Sequence, residues 1–254
     1  MADSQVVLGG ASVKAPRHVA IIMDGNSRWA RRSGVAQHAG HRAGVEAIRR
    51  VLEACRDLGI EVLTVFAFSS ENWLRPQAEV KGLMSLFNRY LRNEAEELGR
   101  AGVRLRFIGD RTRFSKTLQE QIERAESITR ENSRFTMVIA ADYGGQWDIA
   151  QATRKIAEKV KAGAIEPADV TQEMVGEHIS MSDLPPPDLM IRTGGDHRIS
   201  NFLLWQSAYT ELYFTETYWP DFDAEALSRA VEDYSLRERR FGVRDDGQSE
   251  EQDA

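Results

Sequence analysis

Cysteine is nearly absent: Cys55 is the only one in 254 residues. A lone thiol forms neither an internal disulfide nor a thiolate zinc centre, and a chain without disulfides suits a reducing compartment. No apolar run approaches the roughly 20 residues that a membrane-spanning helix requires. The start, Met1-Ala2-Asp3-Ser4, has neither the basic nor the apolar character of a signal peptide. A cytoplasmic location is expected, and a lipid substrate would be met from the aqueous side, with at most peripheral contact with a membrane. Basic charge is also in short supply. Against 39 Asp and Glu stand 33 Lys and Arg, a formal charge of −6. Phosphate-backbone binding needs a basic face, so no nucleic-acid partner is expected, although a few arginines can still build a local anion site. Nucleotide fingerprints are missing too: there is no GxxxxGK[ST] loop, and no GxGxxG follows the first predicted strand.

What is present is an ordinary globular composition, 42% hydrophobic and 28% charged. Residues 1–16 are small and polar, and 244–254 are acidic without apolar anchors; both segments are expected to be disordered. No repeat or linker divides 17–243, which reads as a single domain. Within it, short apolar runs alternate with amphipathic segments. Strands are predicted at 18–23, 62–68, 103–108, 135–141, 189–192 and 211–215. Helices are predicted near 42–58, 79–99, 115–131 and 148–161, the first carrying Gly44, Ile48, Val51, Leu52 and Cys55 on one stripe. This alternation implies βαβ units, hence an α/β fold with a central, mostly parallel six-stranded sheet flanked by helices. Ligands of such sheets sit beyond the carboxyl ends of the strands.

Three strand-end loops concentrate chemistry. The first, Met23-Asp24-Gly25-Asn26-Ser27-Arg28-Trp29, offers a carboxylate, a flexible glycine, an amide and a guanidinium. A plain tight turn with Asp as cap has equal claim to it. The second, Phe68-Ser69-Ser70-Glu71-Asn72-Trp73-Leu74-Arg75-Pro76, packs hydroxyls, carboxylate, amide, indole and guanidinium together; helix capping by Ser70 or Asn72, with Trp73 in the core, is its bland alternative. The third, Arg192-Thr193-Gly194-Gly195-Asp196-His197-Arg198-Ile199-Ser200-Asn201-Phe202, sets two arginines around a Gly-Gly turn. Arginine's planar fork suits phosphate, and a helix expected to begin at Phe202 would add a favourable dipole; pairing with surface carboxylates is the competing explanation. His41 and His197 could serve as acid–base groups or simply hydrogen-bond an anion. These loops supply no phosphoryl-accepting nucleophile, which disfavours a phosphohydrolase.

Several of these stretches, in order, resemble one family. They are His18-Val19-Ala20-Ile21-Ile22-Met23-Asp24-Gly25-Asn26, Gly40-His41 with Gly44, Phe66 through Pro76, Tyr143-Gly144-Gly145, Arg192-Thr193-Gly194-Gly195 through Glu211-Leu212-Tyr213-Phe214, Trp219-Pro220-Asp221-Phe222 and Arg239-Arg240-Phe241-Gly242. The chain resembles the undecaprenyl diphosphate synthases, cis-prenyltransferases, over about residues 17–243. The resemblance implies homodimers that condense farnesyl diphosphate with successive isopentenyl diphosphates, with Mg2+ as cofactor, giving the lipid-carrier precursor of cell-wall peptidoglycan. It implies that Asp24 and Asn72 are catalytic and that Asp24 and Glu211 engage the metal. Gly25, Asn26, Ser27, Arg28, Trp29 and His41 would hold the allylic substrate, together with Ser69, Ser70, Glu71, Trp73 and Arg75. Arg192, Arg198 and Ser200 would take isopentenyl diphosphate. An apolar tunnel for the product would be lined by Leu83, Met84, Phe87 and Leu91 with Phe135, Met137 and Ile139, residues that an ordinary core face would equally employ. A shorter-chain prenyltransferase and a non-catalytic partner subunit are the alternatives on the same fold. Four positions depart from the family pattern. Gln37 stands where many relatives have arginine, which throws diphosphate binding onto Arg28. Asp196 replaces Glu, Val138 replaces Asn, and Asp142 replaces the Asn before Tyr143.

Overall fold

The computed structural model describes residues 5–8 and 11–237. Two short strands, β1 (Gln5–Leu8) and β2 (Ala11–Lys14), pair antiparallel within the segment that the sequence suggests is disordered. The acidic segment 244–254 lies outside the described residues.

The main sheet has six strands: β3 (His18–Ile22), β4 (Val62–Ser69), β5 (Val103–Ile108), β6 (Phe135–Tyr143), β7 (Leu189–Arg192) and β8 (Glu211–Phe214). Their order is β5-β6-β4-β3-β7-β8, and every pairing is parallel, so the expected mostly parallel sheet is wholly so. Side chains alternate between two buried faces, which explains why β3 is buried at all five positions. On one face Val19, Ile21, Leu63, Val65, Met137, Ile139 and Ile191 meet α2 (Gln37–Asp57), α3 (Gln77–Arg100), α4 (Lys116–Thr129) and α7 (Ala224–Ser235). On the other, Ala20, Ile22, Val138, Ala140 and Met190 pack with Trp147 of α5 (Gly145–Lys161) and with Met181, Phe202 and Leu203. The predicted stripe Gly44, Ile48, Val51, Leu52 and Cys55 is the buried face of α2. Helices α1 (Asn26–Arg32) and α6 (Gln172–His178) complete the set.

The chain leaves β3 towards β4 on one side and returns to β7 on the other. Strand order thus reverses at β3, and the crevice beyond its carboxyl end is the favoured ligand position of such sheets.

Candidate active site

Beyond the carboxyl ends of β3, β4 and β7 lies a cavity of about 560 Å3. The loop after β3 supplies Asp24, Gly25 and Asn26. Gly25 adopts φ +103°, and a Cβ there would come within 2.8 Å of the Tyr218 ring, so this turn accepts little but glycine. The buried Thr193 hydroxyl donates to the Asp24 carbonyl at 2.7 Å and accepts from the Asp24 N–H at 2.9 Å. It thereby locks the ends of β3 and β7 together. Gly194 follows at φ +87°; a Cβ would stand 2.9 Å from an Arg28 nitrogen, so the close approach of the two loops depends on its absence.

Charge gathers at this junction. Arg192, only 5% exposed, donates to an Asp24 carboxylate oxygen at 2.9 Å, to the Ser200 hydroxyl at 2.6 Å and to the Arg198 carbonyl. Arg28 reaches the other Asp24 oxygen at 3.1 Å and Asp196 at 3.3 Å. Arg198 pairs with Asp196 at 3.0 Å. Three guanidiniums against two carboxylates leave a net positive site with a central aspartate, which suits a polyanion. The Arg192 Nε is buried and without a partner. The His41 Nε2 is likewise buried without a partner, and both nitrogens suit a bound anion, whereas the unpartnered Asn26 Oδ1 can only accept and faces Gly44. Burial above all, aided by the charge of Arg75 and opposed by that of Glu79, lowers the His41 pKa. His41 therefore favours its neutral form.

The second wall is the 3-10 turn Ser70–Leu74 after β4. Its capping box has the Asn72 side chain accepting from the Ser69 N–H at 3.1 Å. Capping and site lining coexist here, because Ser69, Asn72 and Arg75 all face the cavity. Below the charged mouth the lining turns apolar, with Ile48 of α2, Val65 of β4, Leu83, Met84, Leu86, Phe87 and Tyr90 of α3, and Met137 and Ile139 of β6.

A family model described as "Putative undecaprenyl diphosphate synthase" matches residues 22–242. The chain belongs to the undecaprenyl diphosphate synthase family. It is 56% identical over 232 residues to the "Ditrans,polycis-undecaprenyl-diphosphate synthase ((2E,6E)-farnesyl-diphosphate specific)" of Pseudomonas putida, covering 91% of this chain and 92% of that one. With the Escherichia coli (strain K12) enzyme of the same name the identity is 52% over 231 residues, 91% of each chain. Among solved structures, lavandulyl diphosphate synthase from Lavandula x intermedia, in complex with dimethylallyl diphosphate, superposes with a TM-score of 0.87 at 38% identity, covering 90% of this chain and 99% of that one.

In this member of the family, Asp24, Gly25, Asn26, Ser27, Arg28, His41, Ser69, Asn72, Arg75, Arg192, Arg198 and Ser200 all line one cavity. Others expected there stand back. The Trp29 indole N–H donates outward to Asp221 at 2.7 Å. Glu71 accepts from Asn201 at 2.8 Å, while Ser70 and Trp73 belong to the turn without lining the cavity. Glu211 begins β8, opposite Leu189, at the amino end of the sheet. Some 10 Å of parallel strand separate that level from Arg192, and Arg237 binds Glu211 at 2.9 Å, so one chain does not bring Glu211 to Asp24. No helix begins at Phe202. Ser200, Asn201 and Leu203 take positive φ in an irregular turn instead, so the expected dipole is absent. Leu91 and Phe135 are core residues outside the cavity lining. His197 leans on the Phe214 ring at 5.0 Å, away from the lining. Gln37 donates to Ser27 at 3.1 Å and does not line the cavity. Arg31 does; its place one helical turn after the base of Arg28 was the signal that could have marked it.

Proposed function

We propose that this chain is a cis-prenyltransferase that extends farnesyl diphosphate with successive isopentenyl diphosphates to ditrans,polycis-undecaprenyl diphosphate. One observation carries the reading: a single cavity joins a mouth of Asp24, Arg28, Arg192 and Arg198 to an apolar interior along α3. That is the shape of a substrate with a charged head and a hydrocarbon tail. The relatives' names carry the same substrate and product.

The donor set suits Mg2+ in the way that ion is usually held, through one or two carboxylates together with substrate phosphates. Asp24, with its side chain 29% exposed at the mouth, would be the protein's ligand; the ion would neutralise charge on the departing diphosphate. Arg28, Asn26 and His41 hold the allylic diphosphate, and Arg192, Arg198 and Ser200 hold that of isopentenyl diphosphate. Two heads on adjoining loops bring the reacting carbons together. As the allylic C–O bond breaks, its electron pair leaves with the diphosphate, where Arg28 offsets the growing charge. The isopentenyl double bond then attacks the allylic carbon, and the resulting cation gives up a proton to an oxygen of the departed diphosphate, with Ser69, Asn72 and Arg75 positioning that segment of substrate. The reading includes a homodimer, for which the edge strand β8 with exposed Leu212 and Tyr209 beside it leaves an apolar margin.

The test is incorporation of labelled isopentenyl diphosphate by purified protein with Mg2+ and farnesyl diphosphate, the product sized by mass. A long-chain prenyl diphosphate is expected, and no incorporation overturns the reading. Asp24→Ala should lower kcat by at least a factor on the order of 10²–10³, with the circular dichroism spectrum unchanged. Full activity in that variant removes Asp24 from the mechanism.

A further inference from the structure

Asp142 sits at the end of β6, fully buried, in the left-handed region at φ +52°. Both of its oxygens are taken by Arg113: the Nε donates to one at 2.7 Å, and a terminal nitrogen to the other. A buried carboxylate without such a fork would be strongly destabilising. The pair fixes the guanidinium plane, and that plane lies over the Trp73 ring, 5.1 Å from its centroid. Trp73 is held on its other sides by Phe68, edge-on at 5.1 Å, and by Phe114 at 6.2 Å. Its own indole N–H is buried without a hydrogen-bond partner. Packing and the cation, rather than a hydrogen bond, therefore hold this ring in place.

Trp73 belongs to the same 3-10 turn as Asn72 and stands two residues before Arg75. Those two line the cavity, whereas Trp73, Arg113 and Asp142 do not. We propose that Arg113, clamped by Asp142 and stacked on Trp73, is a positioning residue that holds Asn72 and Arg75 against the substrate. The proposal rests on the functional reading above, since it assigns Asn72 and Arg75 to that site. Arg113 itself is not among the residues that line the cavity. Its effect passes through the indole.

Fold and positioning are separable because the buried charge can be removed independently. Arg113→Met strands Asp142 and should lower both the melting temperature and kcat. Arg113→Met combined with Asp142→Asn removes the stranded charge, so the melting temperature should recover. The kcat should stay about tenfold or more below that of the parent, as expected when a catalytic group is misplaced. Arg113→Lys, which keeps the charge without the planar fork, should fall between. Asp142→Asn alone, which keeps a hydrogen-bond acceptor for Arg113, should stay close to the parent. Trp73 emission, taken as the difference between each protein and its Trp73→Phe counterpart, should shift to the red in both Arg113→Met proteins. Recovery of kcat together with melting temperature in the double variant overturns the proposal and leaves Arg113 a purely structural residue. An unchanged Trp73 emission overturns it too, because the indole would then not depend on the cation. The emission arm needs no turnover, so a parent that fails to transfer prenyl groups sinks the functional reading and leaves the clamp itself still measured.

Discussion

At the scale of single residues, Arg192 is the position at which chemistry and architecture coincide. It closes β7, is nearly buried, and distributes its terminal nitrogens between Asp24, Ser200 and the Arg198 carbonyl. A lysine has one nitrogen on a flexible stem and cannot span those acceptors while facing a diphosphate. Arg192→Lys should therefore raise KM for isopentenyl diphosphate about 10–100-fold, the equivalent of losing one hydrogen bond to a charged group, ~1.5–3 kcal/mol. The KM for farnesyl diphosphate should change far less, and steady-state kinetics with each substrate varied in turn distinguishes the two. A similar rise for both would mean that Arg192 supports the whole mouth rather than one subsite. The residue types at this site were legible in the sequence because two arginines, hydroxyls and a Gly-Gly turn follow one predicted strand end. Which carboxylates they meet was not legible: Asp24 and Arg192 are brought together only by the pairing of β3 with β7. Glu211 shows the converse. Its motif marked it, but a strand has two ends, and the register places it at the one remote from Asp24.

Elements were most readable where both periodicity and burial were strong. The short runs of β5 and β7 were predicted with the bounds they have, and α3 was missed by two residues at its start and one at its end. The short helix α1 was missed because its seven residues contain two consecutive arginines and only one buried side chain. The turn that replaces the helix expected at Phe202 was missed for another reason. Phe202 and Leu203 are fully buried against β3 and β6, and tertiary packing there overrides local propensity. Strand β3 also carries a titration. The Pro185 carbonyl can only accept, so the His18 Nδ1 holds the proton and donates at 2.7 Å, leaving Nε2 to accept from Thr64 at 2.7 Å. Burial, against the opposing influence of Pro185 and Asp188, depresses the His18 pKa from 6.5 to about 4. Above pH 6.5 both folded and unfolded chains hold this imidazole neutral and its contribution is complete. As pH falls through 6.5 towards 4, the unfolded chain binds a proton that the folded chain refuses, and stability is lost. The expected loss is about 2 kcal/mol by pH 5. Urea unfolding at pH 7 and pH 5 measures it, and His18→Gln should show a smaller drop than the parent. Equal drops would assign the acid sensitivity to other groups.

At the scale of the whole molecule, the sheet and two helices enclose the cavity that the proposed function assigns to the growing chain. The cavity runs from the mouth along α3, with Leu83, Met84, Leu86, Phe87 and Tyr90 on one wall, and Val65, Met137 and Ile139 of the sheet on the other. That both walls are apolar follows from the same alternation that builds the core, which is why sequence alone left tunnel and core face undecided. The half-buried state of Leu83, Met84, Leu86 and Phe87, beside the full burial of Leu91, marks the first four as cavity wall and the last as core. About 560 Å3 is within the range that encloses a drug-sized ligand. It suits an allylic starter, and a long polyprenyl chain would have to widen the space between α3 and the sheet as it grows. Bulk added to the wall should therefore leave the first condensations intact and stop the later ones. Leu86→Trp is suited to this test because Leu86 is half-buried at the cavity wall, so the larger ring enters empty space rather than overpacking the core. Its product should contain fewer isoprene units than that of the parent, with the rate of the first condensation, measured at limiting isopentenyl diphosphate, within about threefold of the parent's, less than 1 kcal/mol. Mass analysis of the products decides it. An unchanged chain length at an unchanged rate would mean that the elongating lipid leaves the protein by a route other than the space beneath α3.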